Sequence, residues 1–393
     1  MESIIQEAEQ LFTYTQALRR DFHRNPELGF QEFRTAGIVL RELNELGLEI
    51  TTGVGKTGVV TLLEGTHPGP VLLLRFDMDA LPIQEENETD YVSCQAGKMH
   101  ACGHDAHTAI GLSVAKLLYQ HRDELHGVVK FMFQPAEEGL GGAEAMIADG
   151  VLTNPNPDYA LASHVWNEKP IGWVGIASGP VMAAAEAFQV RISGKGGHGA
   201  QPNTAIDPIL ATAQIINNLQ SIVSRNVSPL KTAVVSVTAI HGGDAFNVIP
   251  QEVEFKGTIR TFDPAVRQRV LSRFKEIVEQ CAVAMECRAE IDLKSITPAL
   301  VNDSQITKLV YEAAREVVPD YDLSTTAQTM GSEDMAFVLQ QVPGCFVFIG
   351  SANEKSGLAY PHHHPRFDFD EAVLPKAVSL IAAATLRLLS GEY

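Results

Sequence analysis

Cys102 and His104 stand two residues apart, with Gly103 between them, in the window Met99-His100-Ala101-Cys102-Gly103-His104-Asp105-Ala106-His107-Thr108. A loop with that spacing can turn a thiolate and an imidazole toward one metal ion. A buried cysteine beside helix-capping polar residues would leave the same trace. No Cys-x-x-Cys pair accompanies it, so the window is not a zinc finger. The apolar run 128–133 leads into Gln134-Pro135-Ala136-Glu137-Glu138-Gly139. Adjacent side chains there point in different directions, so one carboxylate can coordinate a metal while its neighbour faces substrate as a general base. For an isolated Glu-Glu, two acids complementing a helix N-terminus are the commoner meaning. His164 interrupts the apolar run 159–165, where a satisfied core histidine would also fit. Pro361-His362-His363-His364-Pro365 sets three histidines before a proline that restrains the loop without choosing which ring points inward. Asp77 and Asp79 close the run 71–76 and share a face. One of them can be a ligand or can orient a histidine, although two turn-initiating acids would read the same.

These residues need elements that bring them together. Apolar runs at 58–63, 71–76, 128–133 and 159–165 read as buried strands, alternating with helical spacing at 33–48, 108–118 and 143–148. That alternation is an α/β signature, and in such a sheet ligands gather at the carboxyl ends of the strands. Asp79, Cys102 and His104, Glu137 and Glu138, and His164 then converge on one edge. Cys102, His104, Glu138, His164 and one C-terminal histidine exceed the three protein ligands of a mononuclear catalytic zinc. Two ions about 3.5–4 Å apart fit that number better.

Near residue 185 the rhythm changes to strand 187–193, helix 206–224, strands 233–240 and 253–262, helix 264–284 and strand 288–295. The order β-α-β-β-α-β is the ferredoxin-like unit. Helix 304–317, strand 346–349 and helix 371–389 then rejoin the first domain. The expected architecture is an α/β domain of residues 1–183 and 297–393, interrupted by an inserted domain of residues 184–296.

Composition sets the outer limits. Thirty Lys and Arg against 48 Asp and Glu leave a net charge of −18 over 393 residues, which argues against a nucleic-acid partner. Five cysteines are too few, and odd in number, for a secreted disulfide framework. With an N-terminus that is acidic and amphipathic, unlike a signal peptide, this gives a cytoplasmic expectation. The uncharged run 170–185 is broken by Gly172, Gly175, Gly179 and Pro180, so no membrane partner is expected.

Ordered windows along nearly the whole chain resemble the metallo-aminoacylase and carboxypeptidase family. They are Asp21 to Leu28, Asp77 to Pro82, Met99 to Thr108, Gln134 to Gly139, Gly196 to Pro202, Asn247 to Pro250, Gly331 to Asp334 and His363 to Phe367. Within it they are similar to the branch of hippurate hydrolases, auxin-conjugate hydrolases and N-acyl-amino-acid deacylases. The resemblance implies Cys102, His104, Glu138, His164 and His363 as metal ligands, with Glu137 as general base. His363 follows from the branch's His-x-Pro pattern; His362 neighbours it. Outside the branch a ligand histidine stands where this chain has Asp77, so Asp77 is not counted, while Asp79 stays with Glu137 and His198 among the catalytic candidates. The family also implies an inserted dimerisation domain, and a homodimer or homotetramer.

The activity expected is hydrolysis of the amide of an N-acyl amino acid by a metal-activated water, with two divalent ions per chain. Zinc or manganese suits the donors, and cobalt or nickel is compatible. His198, in a glycine-rich turn, is a candidate donor to the developing oxyanion. Because the net charge repels an anionic substrate, Arg260 and Asn247 are candidates to bind its carboxylate. The rival readings are a hydrolase with Cys102 as nucleophile and a non-catalytic metal-binding dimer.

Overall fold

The computed structural model describes residues 1–391. The chain divides into two compact units, one of residues 1–181, 301–328 and 334–393 and the other of residues 182–300 and 329–333.

The first unit is built on an eight-stranded mixed sheet. Its centre is four parallel neighbours, His126–Gln134, His67–Asp77, Tyr159–Pro170 and Gly344–Ala352. The first three are runs that read as buried strands, and the last, expected as a strand over 346–349, is buried along its whole length. Their register sets the level of the candidate residues. Asp77 pairs with Gln134, and Arg75 pairs with Ala162 two residues before His164. The segments after Asp77 and Gln134 and the ring of His164 therefore leave the sheet at one level, as parallel strands require.

Helices cover the sheet. The helix His104–Gln120 is buried over most of its length, and Val373–Ser390 packs beside it. By length and composition Val373–Ser390 could cross a membrane, although Lys376 and Arg387 keep it from standing out as an uncharged run. In the fold it is a core helix, 78% buried. Two N-terminal helices, Glu2–Gln10 and Phe12–Arg24, are not among the elements expected from the sequence. Arg19 and His23 occupy fully buried positions on the second of them, so polarity there no longer marks the solvent face.

The second unit carries a four-stranded antiparallel sheet in the order Ala233–His241, Glu252–Thr261, Ala184–Ser193, Arg288–Thr297. Helices Pro208–Ser221 and Pro264–Ala284 supply Ile215, Leu219, Phe274 and Val278 to a core with Phe188, Val190 and Phe255. Connectivity and strand order are those of the ferredoxin-like unit. Both helices start as the sequence dictates, with Asp207 and Asp263 accepting from the first free backbone N–H groups and proline at the next position. The helix expected to run to Ser224 ends at Ser221 and widens into a π-helical turn over Ile222–Asn226. The short stretch 329–333 joins this unit, which no sequence pattern announced.

Candidate metal centre

The turn into the helix His104–Gln120 depends on Gly103. Its φ of 96° is left-handed, and a Cβ there would lie 2.4 Å from Val165 Cγ2, so only glycine fits between the two donors. Cys102, His104 and His164 each offer a donor atom, and these lie within 4.8 Å of one another. The same holds for Cys102, Glu138 and His363, and for His104, Glu137 and Glu138. Two triplets thus share the Cys102 sulfur.

His104 and His164 are each oriented by the other ring nitrogen. His104 Nδ1 lies 3.0 Å from the Asp79 carbonyl and 3.2 Å from Asp79 Oδ1. Its Nε2 is then turned inward, buried and without a hydrogen-bond partner. His164 Nδ1 donates to the Val165 carbonyl at 2.5 Å, which leaves Nε2 to accept from Cys102 Sγ at 3.4 Å. A metal-binding imidazole needs this arrangement. Asp79 Oδ2 also accepts the Glu138 N–H at 3.1 Å, so one buried aspartate orients donors on two segments. Glu137 and Glu138 follow Ala136, a non-glycine residue at φ 54° whose N–H is held by Glu32 at 2.9 Å. His363 Nε2 lies 3.1 Å from Glu138 Oε1, and its backbone too is left-handed, at φ 65°.

The electrostatics call for cations. Burial, then the charges of Glu138, Glu137 and Asp77, push the Cys102 thiol well above its ordinary value. Burial opposes a charged His104, but Asp77 and Asp79 outweigh it and raise the ring to about 10. A hydrogen bond to Glu138 raises His363. Burial and the neighbouring rings hold His164 well below its usual range. A thiol, three imidazoles and a carboxylate, crowded among further carboxylates and with one buried ring nitrogen making no hydrogen bond, 3.6 Å from Asp77 Oδ2, fit divalent ions.

Sequence reasoning left some positions open and missed others. Asp77 is committed elsewhere: Oδ2 accepts from Arg75 at 2.6 Å and Oδ1 lies 2.5 Å from His107 Nδ1. Despite burial, Arg75, His104 and His107 hold its carboxyl well below the usual range. His107 Nε2 accepts the Val165 N–H at 2.9 Å, so this pair braces the helix against the strand. His107 lies one helical turn after His104, and that spacing was the available signal. His362 also reaches the site, with Nδ1 3.9 Å from Cys102 Sγ, but its Nε2 accepts the Asn167 N–H at 3.0 Å and burial pushes it down to about 3.

His198, Asn247 and Arg260 lie in the second unit. His198 pairs with Val248, and Asn247 accepts the Gly199 N–H at 2.8 Å, so the two candidates are neighbours. The Ala200 N–H donates to His198 Nδ1, which leaves Nε2–H as a donor on an exposed turn. Arg260 is half-buried, and its guanidinium donates to Thr258 and to the Ile259 carbonyl within its own strand. Burial lowers its pKa, against the attraction of Glu186.

Residues 73–387 match the peptidase family M20/M25/M40. The chain belongs to that family. Its M20 relatives include an N-acetyl-L-cysteine deacetylase of Bacillus subtilis (strain 168), 41% identical over 375 residues, which span 95% of this chain and 88% of that one. An IAA-amino acid hydrolase of Arabidopsis thaliana is 41% identical over 383 residues, 96% of this chain and 86% of the relative. Among solved structures, a Bacillus subtilis protein described as a dinuclear metal binding peptidase from the M20 family superposes with a TM-score of 0.85 at 36% identity, covering 97% of this chain and 99% of that one. This M20 chain is a metal-dependent amidohydrolase.

Proposed function

We propose that the chain hydrolyses the amide bond of N-acyl amino acids with two divalent ions, one held by Cys102, His104 and His164 and the other by Cys102, Glu138 and His363. The observation that carries this reading is the pair of donor triplets sharing one sulfur, beside a second glutamate that neither triplet uses. The ions, when bound, acidify water at neutral pH and polarise the scissile carbonyl. Glu137 takes a proton from the attacking water as its oxygen bonds to the carbonyl carbon, and returns that proton to the amine nitrogen as the C–N bond breaks. Asp79 keeps His104 and the Glu138 backbone in place while this happens. His198 Nε2–H is suited to stabilise the oxyanion. Arg260, assisted by Asn247, is suited to bind the carboxylate.

The activities for which the relatives are named, on N-acetyl-L-cysteine and on IAA-amino acid conjugates, support acyl amino acids as the substrate class. The Cys102-nucleophile reading is disfavoured, since a reactive cysteine needs a lowered pKa and this thiol is pushed up. The test is elemental analysis beside release of free amino acid from N-acetyl, N-benzoyl and indoleacetyl amino acids, before and after chelation. About two ions per chain with chelator-sensitive release supports the reading; turnover that survives complete metal removal overturns it. Zinc, manganese, cobalt or nickel is then distinguished by reconstitution, and a homodimer or homotetramer by light scattering. Arg260→Ala should raise KM for carboxylate substrates far more than for their amides, and equal effects would remove Arg260 from recognition.

A further inference from the structure

The window from Asp21 to Leu28 belongs to the resemblance but has no part in the chemistry above. Its histidine is fully buried in the last turn of the helix Phe12–Arg24. His23 Nδ1 lies 2.7 Å from Asp105 Oδ2 and Nε2 lies 3.2 Å from Glu85 Oε1. Carboxylates only accept, so both ring nitrogens donate.

Each partner leads to a segment that bears candidate ligands. Asp105 directly follows His104 and opens its helix. Glu85 also accepts the Ser93 N–H at 2.7 Å and the Asn87 side-chain amide at 3.1 Å. Asn87 in turn donates to the Phe367 carbonyl at 3.0 Å, and the Glu86 N–H donates to the Pro365 carbonyl at 2.9 Å. The stretch 85–87 therefore grips the loop just after His363. Arg19 runs parallel to His23, with Nε 2.9 Å from Asp105 and an Nη 2.8 Å from Asp368.

We propose that His23 is a positioning residue for the metal centre: by bonding Asp105 and Glu85 at once it fixes the spacing between the Cys102–His104 turn and the His363 loop. The inference rests on the metal-centre reading of those residues. A buried histidine with only a structural role would lower the stability of the metal-free chain and leave the metal affinity of its folded form unchanged. A positioning residue changes both, because ligands held at the wrong spacing bind less tightly.

The experiment titrates Mn2+ calorimetrically into the metal-free full chain, as wild type, His23→Gln, Asn87→Ala and the double variant, with far-ultraviolet circular dichroism on each sample. His23→Gln should bind Mn2+ about 10- to 100-fold more weakly with an unchanged dichroism spectrum, and Asn87→Ala about tenfold more weakly. The double variant should be little worse than His23→Gln alone, because both changes cut one path. Affinities within about twofold of wild type in the folded single variants would overturn the proposal. So would a fully additive double variant. If His23→Gln does not fold, Asn87→Ala decides alone, because it removes a part-buried loop amide and no buried charge. A wild type that binds no Mn2+, zinc or other divalent ion would overturn the metal-centre reading and this proposal with it; binding in wild type with equal binding in the variants overturns this proposal alone.

Discussion

The two donor triplets share Cys102 but are held very differently. Cys102, His104 and His164 are 8%, 0% and 5% exposed, whereas the side chain of His363 is 52% exposed and that of Glu138 16%. The buried triplet comes from a glycine-dependent turn and a central strand, with each ring locked by a second hydrogen bond. The outer one joins a strained strand-end turn to a C-terminal loop, whose backbone is tied inward by the His363 N–H on the Ala101 carbonyl at 2.7 Å. Preorganisation is therefore concentrated on one side of the sulfur, and accessibility on the other. A hydrolase needs both, since a fixed electrophile and an open approach cannot come from the same fully enclosed ligands.

The largest effect expected lies just outside both triplets. Glu137→Gln should lower kcat by about 10²–10⁴-fold while metal content, read by elemental analysis, stays at the wild-type value. A metal-depleted variant would make Glu137 a ligand and would dissolve the division between base and donors. Asp79→Asn should weaken metal binding about 10- to 100-fold, because it loosens His104 and the Glu138 backbone together. His363→Ala, compared by the same titration, should impair one binding step and leave the buried one close to wild type. Equal loss of both steps would mean that the two triplets do not act separately.

Gly103→Ala probes the buried side through stability. The new methyl would meet Val165 at 2.4 Å on a left-handed backbone, and about 1–3 kcal/mol of destabilisation should result, read as a lower Tm. The smallest effect is a pH trend in the metal-free chain. Burial and Arg19 oppose a charged His23, but its bonds to Asp105 and Glu85 raise its pKa from 6.5 to about 9. A raised folded value gives stabilisation that is complete below about pH 6.5 and is lost as pH rises through about 9. Around the ring, Asp105 and Glu85 are shifted down, Arg19 and Tyr91 up, and His100 is lowered to about 4, so none of them titrates in that window. The Tm of the wild type should fall across it, and that of His23→Gln should fall less, the remainder coming from His104, whose ring is raised to about 10.

Much of this architecture is legible in the sequence, for identifiable reasons. The four central strands and the inserted β-α-β-β-α-β order come from apolar runs and periodicity, because those strands are buried on both faces and the helices present one apolar stripe. The Cys102-Gly103-His104 turn is visible because its glycine is obligatory. The helix Phe12–Arg24 is not visible, because the buried partners of Arg19 and His23 come from residues 85, 105, 368 and 371, and no local window contains them. Asp77 stays open in the sequence for a related reason. Its commitment to Arg75 and His107 depends on how strand and helix pack, not on spacing.

The sequence by itself determined the donor types, the segments that carry them and the α/β frame, since these depend on side-chain chemistry and local periodicity. Only the tertiary structure decided which donors meet. It placed His363 beside Glu138 and tied His362 to the Asn167 N–H, and it set Asp79 behind His104 and His23 between Asp105 and Glu85. Three consecutive histidines have the same composition and almost the same address in the chain. What separates them is the direction in which a folded loop, fixed by partners hundreds of residues away, points each ring.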